Sequence, residues 1–89
     1  MIKLNFQQFK IPTDIQHSAY KEGDVRETVA NMLYRNVNGI RAHALAMKIF
    51  KSEGNTEYDE LEVEFIKNMA DTYGTPAFID GLREQIINQ

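Results

Sequence analysis

The sequence predicts an α+β domain: an N-terminal β-hairpin or short strand pair packed on four helices, with the second helix central. Three observations carry this. Ile2, Leu4 and Phe6 alternate with Lys3, Asn5 and Gln7, the period of a half-buried strand. From residue 24 onward, apolar residues recur at helical spacing between cap and stop residues. The run from Gly39 to Phe50 is apolar around most of its circumference, as expected of a helix walled in by its neighbours.

The first strand is expected over residues 2–11. Phe9 and Ile11 continue the apolar series one residue out of phase, so either a bulge near Gln7-Gln8 or a junction of two short strands lies there. Pro12-Thr13-Asp14 is a turn signal, and the weak alternation of Ile15, His17 and Ala19 suggests a returning strand over 14–20. Lys21-Glu22-Gly23 then reads as a loop.

The first helix is expected over 24–36, with Asp24 and Glu27 at capping-box spacing. Asn36-Val37-Asn38-Gly39 ends it, and Asn38 is placed to cap the next helix. The second helix, 39–52, has a narrow polar arc of Arg41, Lys48, Ser52, Lys51 and Ala44, bordered by Leu45. Ala42, Ile49, Ala46, Phe50, His43, Met47 and Ile40 fill the rest of the wheel. Residues 53–57 read as a polar loop.

The third helix, 59–73, starts on Asp59 with Glu62 three residues later, and Tyr58 with Val63 forms a hydrophobic staple. Gly74 stops it. Thr75-Pro76 begins the fourth helix, 75–87, with Thr as cap and Pro in the first turn. Gly81, inside that helix, suggests a close approach, with helix two as the expected neighbour.

Eighty-nine residues make one domain, 1–89, and a net charge of −3 argues against the whole chain serving as a polyanion binder. The absence of cysteine excludes disulfides, thiolate nucleophiles and cysteine metal sites. No apolar run reaches membrane-spanning length and the N-terminus lacks signal-peptide features, so a soluble cytoplasmic protein is expected.

His43 is the most conspicuous functional candidate; a core-edge histidine bonded to a backbone carbonyl is the plainer reading. Arg35, Arg41, Lys48 and Lys51 form the most basic region. They read either as a helix-turn-helix contact surface or as a solvated edge paired with the acidic start of helix three. The mostly apolar helix, with no Asn or Gln to read base edges, favours the second. The acids Glu57, Asp59, Glu60, Glu62 and Glu64 are used by capping and the helix dipole, so no metal site is expected. Surface clusters among Tyr20, Tyr34, Tyr58 and Tyr73, or a free edge of the first strand, would mark docking sites.

The short chain, the opening Ile2-Lys3-Leu4-Asn5-Phe6 and the later Thr75-Pro76-Ala77-Phe78-Ile79-Asp80 give it a resemblance. It is similar to the small acidic proteins of unassigned role that phages and other mobile elements encode. That resemblance implies no functional residue.

The expectation is a non-enzymatic protein-interaction module, monomeric or homodimeric, with a protein partner and no cofactor. Arg41, Lys48, Lys51 and His43 are the candidate partner-binding residues. A nucleic-acid-binding regulator using the basic edge of helix two is the alternative. A small enzyme assembled in an oligomer, with His43 lining a shared pocket, comes third.

Overall fold

Four short strands and four helices make up the computed structural model, which describes residues 1–89. In chain order they are β1 (Ile2–Leu4), β2 (Phe9–Pro12), β3 (Tyr20–Gly23), α1 (Arg26–Asn36), α2 (Ile40–Phe50), β4 (Thr56–Tyr58), α3 (Glu60–Tyr73) and α4 (Pro76–Ile87). The class is α+β, with strands packed on helices.

The strands form two antiparallel pairs. β1 pairs with β4, Lys3 opposite Glu57, and β2 pairs with β3, Lys10 opposite Glu22. The first strand is therefore two strands. The break is made by Asn5, whose side-chain oxygen accepts from the amides of Gln7 at 3.0 Å and Gln8 at 2.8 Å, turning the chain out of the ladder. The expected strand over 14–20 is mostly a turn closed on Asp14, which accepts from the amide and hydroxyl of Ser18. The returning strand forms instead at Tyr20–Gly23, where a loop was expected. The expected loop over 53–57 runs into β4, because Thr56–Tyr58 finds its partner more than fifty residues earlier in β1.

Phe6, Phe9 and Tyr58 are fully buried and join the two pairs. Phe6 stacks on Phe9 at 5.8 Å, Phe9 stacks on Phe78 of α4 at 5.1 Å, and Phe6 meets Tyr58 edge-on at 5.9 Å. Gly81 lets α4 settle on β2: a Cβ there would lie 2.6 Å from the carbonyl oxygen of Lys10 and 3.0 Å from the Phe9 ring. The close approach is thus to β2 and not to helix two.

The start of α3 forms as the capping box implies. Asp59 accepts from the Glu62 amide at 2.8 Å, and Glu62 accepts from the Asp59 amide at 2.9 Å. Thr75 caps α4 by accepting from the Phe78 amide at 3.2 Å. The capping expectations for the first two helices are corrected. Asp24 does not cap α1, which begins at Arg26 without a side-chain cap. Its carboxylate lies one residue before the cap position, where it accepts from the Arg26 amide at 3.0 Å and is held by the Arg26 guanidinium at 2.8 Å. Asn38 does not cap α2 either. Gly39, at φ 106°, occupies that position, a backbone conformation that only glycine adopts without strain.

The packing of α2 on α1 is the most extensive between any two elements. In that sense α2 is central, but its expected enclosure does not hold. Ala42, Leu45, Ala46 and Ile49 are buried, while Ile40, His43, Met47 and Phe50 face outward. Periodicity shows which residues are apolar; here the chain has no further element to lay over the outer half.

Candidate functional site

The exposed side of α2 is the candidate docking face. Ile40, His43, Met47 and Phe50 follow one another at intervals of three, four and three residues, which sets them within a single arc of about 80° on the wheel. Their exposure is real surface: 84% for Ile40, 38% for Met47 and 51% for Phe50. The stripe continues onto α1 through Tyr34, 64% exposed, whose ring centroid is 5.8 Å from that of His43. Scattered apolar residues are normal on a surface; a contiguous apolar patch is where a contact site is sought.

The helical hairpin beneath the stripe is clamped at its open end. Arg26 spans the gap, donating through Nη1 to the Ser52 carbonyl at 2.7 Å while Asp24 holds its Nη2. Ser52 itself is buried, with its hydroxyl donating to the Ile49 carbonyl at 2.7 Å. It leaves the expected polar arc because the helix ends at Phe50. Leu45, at the border of that arc, is core at 2% exposure.

The four residues expected to bind a partner meet different fates. His43 is exposed beside Tyr34, so it is not a core-edge histidine. Lys48 is committed to the fold: its ammonium is 2.9 Å from a Glu62 oxygen and 4.6 Å above the Tyr58 ring. This is the expected pairing of the basic edge with the start of α3. Arg41 and Lys51 are exposed and have no ion-pair partner. A cleft of about 470 Å³ beside Arg41 is lined by Ala44, Leu45 and Lys48 from α2 and, across from them, by Asp59, Leu61, Glu62 and Phe65.

A larger depression lies elsewhere, about 810 Å³ between the strands and α4, and has one hydrophobic residue in its lining. Two of its amide side chains are committed to the fold. Gln85 accepts from the Asn5 amide at 2.8 Å and donates to the Asn5 carbonyl at 3.0 Å. Gln89 does the same for Lys3, accepting from its amide at 2.8 Å. Two glutamines one helical turn apart thus satisfy β1 along the edge away from β4, and the strand edge expected to be open for docking is covered. A polar, open depression of this kind lacks the apolar lining of a small-molecule site.

One constellation has no signal in the sequence, since each of its bonds joins residues more than sixty positions apart. His17, at φ 55°, sets Nδ1 3.1 Å from Glu84 and Nε2 3.3 Å from Asp80. Tyr20 donates to the same Glu84 oxygen at 2.8 Å. Hydrogen bonding to Asp80, then to Glu84, raises the His17 pKa above its ordinary value. The bond to Glu84 likewise raises that of Tyr20. The group ties the β2–β3 hairpin to two turns of α4. Separately, burial pushes the Tyr58 phenol up, and its hydroxyl is buried without a partner.

No helix is long and apolar enough to cross a membrane. Comparison with family models, curated proteins and solved structures gives no match to this chain.

Proposed function

We propose that the chain is a non-enzymatic protein-interaction module whose docking face is the outer side of the α1–α2 hairpin. The observation that carries this reading is the exposed stripe of Ile40, His43, Met47 and Phe50, extended by Tyr34. Aromatic residues and methionine are the side chains enriched at protein interfaces, whereas lysine is depleted there. The stripe is preorganised, because the hairpin that presents it is clamped by Arg26 and packed on the core through Leu45, Ala46 and Ile49. Docking would therefore cost little ordering entropy. No nucleophile, base and orienting group converge here, and His43 touches only Tyr34 among the aromatic rings.

The test is affinity capture from cells of origin with the native chain and a Met47→Asp/Phe50→Asp double variant, read by quantitative mass spectrometry. A partner retained by the native chain and lost by the double variant is expected. Partners retained equally by both would overturn the assignment of the face.

Nucleic-acid binding through Arg41 and Lys51 is the second reading, favoured by their freedom from ion pairs. The commitment of Lys48 to Glu62 and the apolar residues beside this edge weigh against it. A gel-shift titration at low salt, with Arg41→Glu/Lys51→Glu as control, separates the two.

A further inference from the structure

The charge of this protein is divided unevenly along the chain. Residues 28–52 contain Arg35, Arg41, Lys48 and Lys51 and no Asp or Glu, a net charge of +4. The whole chain carries −3, so the remaining residues carry −7. That basic segment is the one that forms nearly all of α1 and α2 and bears the exposed stripe. Lys48 is neutralised by Glu62, whereas Arg35, Arg41 and Lys51 remain unpaired.

On the wheel of α2 the stripe occupies one arc, and Lys51, Ala44, Lys48 and Arg41 follow in order along its flank. Ala44 is exposed and small, which lets a neighbouring backbone approach between the cations. The run from Ile40 to Phe50 spans about 15 Å, three turns of a helix. An apolar stripe at this spacing is met by another helix whose own apolar residues recur at three and four.

From these features we infer that the docking face takes an acidic amphipathic helix of a partner protein, its apolar residues seated on Ile40, Met47 and Phe50 and its carboxylates along the Arg41–Lys51 flank. This rests on the docking reading above and adds the chemistry of the partner. A second copy of the chain fits less well. A two-fold contact through this face would bring the unpaired Arg35, Arg41 and Lys51 of both copies to one interface, while of the acids beside Phe50 and Arg41 two, Asp24 and Glu62, are already held by Arg26 and Lys48, leaving Glu27 and Asp59 to offset them. A nucleic acid would answer the cations and leave the stripe exposed.

The probe is a pair of stapled, fluorescein-labelled helical peptides of about 18 residues, long enough to cover three turns with a margin. Both carry leucine at the stripe spacing; one is flanked by glutamate and the other by lysine. Fluorescence anisotropy with the full chain should show the glutamate peptide binding at least about tenfold more tightly, a gap that narrows with added salt. Met47→Asp should weaken it by about tenfold or more while circular dichroism stays native. Arg41→Glu/Lys51→Glu should weaken the glutamate peptide and strengthen the lysine peptide.

Equal binding of the two peptides, lost in Met47→Asp, contradicts the acidic helix and leaves the docking face standing. Binding of either peptide that is indifferent to Met47→Asp contradicts the face itself. Sedimentation showing a dimer that Met47→Asp dissolves assigns the face to a second copy and overturns the proposal. So does an oligonucleotide that displaces the glutamate peptide and depends on Arg41 and Lys51.

Discussion

Gly81 sits where α4 crosses β2, and the space a methyl group would need is taken by the Lys10 carbonyl. Backbone cannot rotate away as a side chain can. Gly81→Ala should therefore destabilise the fold by roughly 1–3 kcal/mol despite the better helix propensity of alanine, measured by urea unfolding. His17 makes a different kind of contribution. Both its ring nitrogens face carboxylates, Asp80 and Glu84, and these bonds hold its folded pKa above the unfolded value near 6.5. A raised value means that the charged ring stabilises the fold fully below about pH 6.5, and that the contribution is lost as pH rises through the folded pKa. The stability difference between native and His17→Ala protein should shrink as pH rises above about 6.5 and through the folded pKa. An NMR titration placing the His17 midpoint at or below the peptide value would contradict it.

At the scale of elements, β1 is held on one side by β4 and on the other by the side chains of Gln85 and Gln89. The Asn5 amide has Gln85 as its acceptor. Gln85→Ala should speed hydrogen exchange at Asn5 and cost about 1 kcal/mol for each hydrogen bond lost, while exchange inside α3 stays unchanged at matched stability. Asp59→Ala removes one half of the α3 capping box and should cost about 0.5–2 kcal/mol by the same unfolding measurement.

These elements show what could be read from residue order alone. α3 and α4 were legible because their signals are local: Asp59 with Glu62, Gly74, and Thr75 with Pro76 all act within a few residues. The β1–β4 pairing was not, since nothing local in Thr56-Glu57-Tyr58 names a partner at the N-terminus. Asp24 carried a cap signal and was captured instead by Arg26, two residues on, a competition that spacing does not decide.

Across the whole molecule, the α1–α2 hairpin concentrates positive charge and exposed apolar surface on one face of an otherwise acidic protein. The radius of gyration, 12.2 Å, is that of a compact chain of this length, so the exposed stripe does not come from a loose fold. Part of the candidate site was legible. Arg41 and Lys51 lie on the surface where the wheel put them, and Lys48 pairs with the start of α3. The exposure of the stripe is not legible in the sequence, because an apolar residue looks the same there whether or not its own chain covers it. The most direct test of the docking face places a photo-crosslinking residue at position 47 on α2, or at the exposed position 67 on α3, in cells of origin. Adducts to one defined protein from position 47, absent from position 67 and suppressed by Phe50→Asp, are expected; equal adducts from both positions, or none from position 47, would contradict the assignment.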